Sequence, residues 1–290
     1  MSLQLTREEV ERGYNNRAAV PDHAQWFARW AELSDAARAS LDHELDVRYG
    51  PGAKETLDIF RPRGESRGTL FFIHGGYWRA LDKREHAFVA PMFTERGYAV
   101  VNVNYDLCPD VTIERIVEEC RRALMWVVRS GPAHGLDART LVTSGHSAGG
   151  HLTAMLHATD WPSHGVDANP VAGGVSLSGV HDLEPLVQFS FNSDFRLDAI
   201  EARRLSPVYL QPTTRAPFVI AAGANETSEF LRQSELLWEA WPDNRPAGAV
   251  GPMFIAGRHH FDVVLDYCDA DSALSRATLA LFEAGNGTAR

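Results

Sequence analysis

From about residue 45 onward, short and nearly unbroken apolar runs alternate with longer stretches in which apolar side chains recur every third or fourth position. The short runs predict strands over residues 45–49, 55–60, 69–73, 99–103, 140–143, 171–177, 217–221 and 253–255, the first two joined through Gly50-Pro51-Gly52. The longer stretches predict helices over 83–95, 113–128, 150–159 and 229–241, the first two of which end near a glycine. Strand followed by helix, repeated, predicts an α/β fold with a mostly parallel eight-stranded sheet and helices on both faces. Residues 6–45 precede this rhythm and read as helical, which makes the N-terminal segment 1–44 a candidate cap. The irregular, aromatic stretch 183–210 is a candidate cap insertion. With no repeat and no long Pro/Gly/Ser linker, residues 1–290 are expected to form one domain.

Composition narrows the partners. The 290 residues are 44% hydrophobic and carry a net charge of −10, with Lys and Arg scattered rather than clustered. Phosphate backbones and anionic lipid surfaces bind clustered cations, so neither nucleic acid nor a membrane is expected. The chain opens with charges where a signal peptide would be apolar, and no window of about 18 apolar residues follows, so a cytoplasmic location is expected. Cys108, Cys120 and Cys268 match no zinc or redox spacing and are expected to be buried thiols. The remaining partner class is a small-molecule substrate, and a homodimer is compatible with all of this.

Chemistry concentrates in three places. Gly145-His146-Ser147-Ala148-Gly149 fits the pattern G-x-S-x-G, and it lies between a predicted strand and a predicted helix, where a sharp turn would present Ser147 as a nucleophile. His74-Gly75-Gly76-Tyr77-Trp78 follows the apolar strand 69–73. Its glycines let backbone N–H groups approach a developing oxyanion, which assigns Gly75, Gly76 and the residue after the nucleophile, Ala148, as donors. Tyr77 and Trp78, next to that loop, are candidate substrate-binding residues.

A nucleophilic serine needs a base and a group to orient it. His260 is the expected base, with His259 as its solvent-facing neighbour. Glu226, in the loop after strand 217–221, is the expected acid; Asp182 is its rival, while Asp243 and Asp262 read as surface or capping residues. His146, His151, His157, His164 and His181 have no metal-ligand spacing, and His146 and His151 are expected to pack or hydrogen-bond around the turn. No phosphate-cradling loop is present. No metal and no cofactor is expected.

Taken together, HGGYW at 74–78, NYDLCP at 104–109, GHSAGGH at 145–151, SGVHDLEP at 178–185, SEFLRQS at 228–234 and HHF at 259–261 resemble the arylformamidase (kynurenine formamidase) group, in the hormone-sensitive-lipase-like branch of the α/β-hydrolases. The resemblance spans most of the chain and includes Tyr14 and Asn15. It implies an α/β-hydrolase fold and cofactor-free hydrolysis of an aryl formamide such as N-formylkynurenine, with Ser147 as nucleophile, Glu226 as acid and His260 as base. A general carboxylesterase would use the same machinery, and a non-catalytic binding protein on the same fold is the alternative of another class. The chain departs from the group in having Glu226 where Asp is usual and Gly150 where alanine is common.

Overall fold

A computed structural model describes residues 5–166 and 169–287; Met1 to Gln4 of the N-terminal segment, residues 167–168 and residues 288–290 lie outside it. Eight strands form one sheet: β1 (Asp42–Arg48), β2 (Thr56–Arg61), β3 (Thr69–Ile73), β4 (Ala99–Val103), β5 (Leu141–His146), β6 (Val171–Leu177), β7 (Phe218–Gly223) and β8 (Met253–Ile255). Their spatial order is β1-β2-β4-β3-β5-β6-β7-β8. β1 and β2 run antiparallel to their neighbours, and β4 through β8 pair in parallel.

The central strands are apolar along their whole length because helices cover both faces. In β3, Phe71 and Ile73 point to one core, while Leu70 and Phe72 point to the other. The first core is closed by α5 (Ile113–Ser130) and α6 (Ala148–His157); α5 buries Ile113, Ile116, Val117, Cys120, Leu124 and Val127 on one helical face. The second is closed by α3 (His23–Ser40), α4 (Ala90–Glu95) and the last helix, Ala273–Gly287, through Trp30, Phe93, Leu281 and Phe282. Each fully buried Phe or Leu side chain contributes about 1.5–3 kcal/mol.

Local departures from the predicted elements have physical causes. β1 begins at Asp42, not at 45: it is a polar edge strand with a bulge at Asp46, whose φ is 57°, so apolar periodicity does not reveal it. The predicted helix 83–95 is a 3₁₀ turn over Lys83–Val89 followed by α4, where Pro91 has no N–H to continue the first segment. The N-terminal stretch is three helices, with α1 (Arg7–Tyr14) and α2 (Asn16–Ala19) preceding α3. Thr6 and Glu9 form a capping box on α1. Residues 183–210 fold into short turns that include α7 (Asn192–Phe195) and α8 (Ala199–Arg204). Cys108 and Cys120 are buried, but Cys268 is exposed, because the turn carrying it ends at the surface. Among the described residues no helix is long and apolar enough to cross a membrane.

Candidate active site

β5 runs straight into Ser147, which adopts φ 58° and ψ −119° before α6 begins. This conformation is costly for a residue with a side chain and persists only where the surroundings enforce it. Here the enforcement is close packing: a Cβ on Gly149 would lie 2.0 Å from the Ile73 carbonyl oxygen, and one on Gly145 would lie 2.2 Å from that of Gly149. The Ser147 N–H donates to Leu177 O at 2.8 Å, tying the turn to β6. Gly150 is equally confined, since its Cβ would sit 2.7 Å from Ser176 Oγ; alanine at this position would require Ser176 to move.

His260 Nε2 lies 3.0 Å from Ser147 Oγ, and His260 Nδ1 lies 2.7 Å from Glu226 Oε2. A carboxylate only accepts, so Nδ1 carries the proton and Nε2 presents its lone pair to the serine hydroxyl. Glu226 follows β7, and its side chain is fully buried. Its other oxygen accepts from the Ser178 hydroxyl and from the Gly223 N–H at 2.8 Å. The fold therefore brings Glu226, not Asp182, to His260. Asp182 instead accepts the Glu184 N–H, while its own N–H donates to Gln233 Oε1. His259 accepts the Phe261 and Asp262 N–H groups and so caps a turn. Asp262 is buried and accepts the His259 N–H, whereas Asp243 is exposed.

Gly75 packs against Ser147, where a Cβ would come within 3.0 Å of Ser147 Cβ. Gly76 has φ 107°, and its Cβ would clash with Ala80 O, so only glycine serves there. Among the described residues no hydrogen bond engages the Gly75 or Gly76 N–H. The Ala148 N–H opens α6 and has no partner within that helix. His74 holds the base of this loop: its ring stacks on Tyr105 at 4.3 Å, and Tyr105 Oη donates to His74 O. Burial pushes the His74 imidazole down to about 4, so it is neutral at pH 7.

The His260 loop is fastened from behind. His146 Nε2 donates to His260 O at 2.8 Å, and Trp30 Nε1 donates to Phe261 O at 3.1 Å. Burial, reinforced by the neighbouring His260 and His86, drives the His146 imidazole well below its ordinary value, so it serves as a neutral donor. His151 donates to Leu205 O and thereby links α6 to the turns of 183–210.

A small cavity open to solvent reaches Ser147 and His260. Tyr77 lines it, and its hydroxyl donates to Tyr14 O at 2.6 Å. Trp78 does not line it: the indole is fully buried, edge-on against His151 and Phe195, because positive φ at both Tyr77 and Trp78 sends the two side chains to different places. Much of the remaining wall comes from the N-terminal segment, including Tyr14, Asn16, Arg17, Phe27 and Trp30, and Phe191 of the 183–210 stretch joins it. The family resemblance singled out Tyr14 and Asn15 without giving them a role, and sequence reasoning found none of Asn16, Arg17, Phe27 and Trp30, since nothing local in a helical stretch marks which face meets a site more than a hundred residues away.

The fold and this constellation define a hydrolase of the α/β-hydrolase class. The BD-FAE family model matches residues 57–241. Kynurenine formamidase of Salmo salar is 30% identical over 96% of this chain and 97% of its own, and that of Danio rerio is 28% identical over 86% and 85%. A solved structure from Silicibacter sp., given a provisional thioesterase description, superposes with a TM-score of 0.82 at 32% identity, covering 93% of this chain and 99% of its own. The chain belongs to the BD-FAE family and to the group of the kynurenine formamidases.

Proposed function

We propose that this protein hydrolyses an aryl formamide of the N-formylkynurenine kind through a formyl-enzyme intermediate. The observation that carries the reading is near end-to-end similarity to the salmon kynurenine formamidase in a chain where a serine, an imidazole and a carboxylate are hydrogen-bonded in series. His260 Nε2 removes the Ser147 proton as Oγ attacks the formyl carbon, and Glu226 stabilises the imidazolium. The N–H groups of Gly75, Gly76 and Ala148 receive the oxyanion; one such donor is worth about 10²–10³ in rate. Collapse of the tetrahedral adduct breaks the C–N bond, and His260 returns its proton to the departing amine. A water then gives its proton to His260 and attacks the formyl ester, releasing formate and regenerating Ser147.

The test is kcat/KM for N-formylkynurenine beside p-nitrophenyl acetate and butyrate, with Ser147→Ala as the blank. Preference for the formamide supports the reading. Preference for the esters, with the formamide barely turned over, would make the enzyme a carboxylesterase with the same machinery. A Ser147 that a fluorophosphonate does not label would point to a non-catalytic binding protein.

A further inference from the structure

The chain carries a net charge of −10, yet the residues lining the cavity include two arginines and no aspartate or glutamate. An anion approaching this molecule meets a repulsive overall field, so a cationic lining at one cavity marks where an anion is accommodated. The two arginines are not equivalent. Arg79 is neutralised by Asp194, 2.5 Å away, and stacks over Phe191. Arg17 has no carboxylate partner among the described residues, and its guanidinium lies 5.6 Å over the Phe27 ring at the exposed end of the cavity. Beside it Asn16 is only 5% exposed, lines the same cavity, and has a buried side-chain Nδ2 with no hydrogen-bond partner. A buried donor left unmade is costly, and a ligand acceptor would relieve that cost.

We propose that Arg17 and Asn16 form a subsite for a carboxylate on the part of the substrate that departs as the amine, with the guanidinium and the side-chain amide as donors. The inference rests on the formamide reading above, because a formyl group carries no substituent and any recognition charge must lie on the leaving group. A hydrogen bond between a charged pair in a partly desolvated site is worth about tenfold or more in affinity.

The experiment compares substrates that differ only in leaving-group charge: 3-formamidobenzoate with formanilide, and 3-carboxyphenyl acetate with phenyl acetate. In the full-length enzyme the carboxylate member of each pair should have the higher kcat/KM by about tenfold, and rising salt should erode that ratio. Arg17 is exposed, so Arg17→Ala and Arg17→Glu test the subsite without removing core packing. Both should lower kcat/KM more for the carboxylate member than for the neutral one, and Arg17→Glu should invert the ratio. Asn16→Asp should act in the same direction. Equal losses on both members, or no charge preference in the parent enzyme, would overturn the subsite. If only the esters are turned over and the charge preference persists, the subsite stands and the formamide reading falls; turnover of both formamides without preference has the opposite meaning.

Discussion

Replacing Glu226 with glutamine changes one charge and almost no volume, which makes it the sharpest probe of the Ser147–His260–Glu226 arrangement. The carboxylate accepts three hydrogen bonds: His260 Nδ1–H on one oxygen, and the Ser178 hydroxyl and Gly223 N–H on the other. A glutamine amide offers one oxygen and one NH₂. With its oxygen toward His260, the NH₂ faces the Gly223 N–H, which cannot reverse direction; the unsatisfied buried donors would cost about 1–3 kcal/mol. With its oxygen toward Gly223, the NH₂ faces His260 Nδ1 and forces the imidazole into the tautomer protonated on Nε2. That tautomer has no lone pair for the Ser147 proton. The second orientation satisfies Gly223, so it should dominate, and the corresponding wrong-tautomer defect in a serine protease triad lowers kcat by about 10⁴. The expected result is a fall in kcat of about 10³–10⁴, or roughly 4–5.5 kcal/mol in barrier, with KM and melting temperature little changed. Steady-state hydrolysis of p-nitrophenyl acetate measures it, with Asp182→Asn as the control expected to keep kcat within a few-fold. A Glu226→Gln enzyme retaining a tenth of parental kcat would rule out the tautomer defect, and loss of turnover in Asp182→Asn instead would move the acid there.

Three further outcomes follow from the packing. Trp30→Phe keeps an aromatic ring but removes the donor to Phe261 O and leaves a small cavity at a buried position, and should lower kcat several-fold and stability by about 1–3 kcal/mol; unchanged kinetics would show that α3 does not hold His260. Gly149→Ala places a methyl 2.0 Å from Ile73 O and should abolish activity while destabilising the fold by a few kcal/mol, read by urea denaturation. The buried His74, His151 and His157 are pushed down to about 4 and His86 and His181 to about 3, all chiefly by burial. Their folded values lie below the unfolded one, so the unfolded chain binds more protons, and stability present at neutral pH is lost as pH falls below about 6.5. Each such histidine weakens the fold by up to about 2 kcal/mol at pH 5. The melting temperature should therefore drop steeply between pH 7 and pH 5, with proton uptake on unfolding; a flat profile there would contradict these buried neutral states.

A fully buried strand such as β3 is legible because it is almost wholly apolar, and the turn at Ser147 is legible because its two obligatory glycines, Gly145 and Gly149, lie within one five-residue stretch of the chain. The same locality placed His260 and Glu226 at strand ends as candidates. It could not choose Glu226 over Asp182, because that choice depends on how the loops after β6 and β7 converge: Ser178 and Gly223 come together on one carboxylate oxygen across a parallel strand pair. Local pattern also failed at β1, where polar residues face solvent along an edge, and at Trp78, whose direction is set by backbone sign and not by residue type. The alternating α/β architecture, the turn at Ser147 and the glycine loop could be read from the chain alone, since each is written in residues adjacent along it. Which carboxylate meets His260, and that Asn16, Arg17 and Trp30 wall the cavity, emerged in the folded molecule, because these contacts join segments whose separation in sequence leaves no periodic trace.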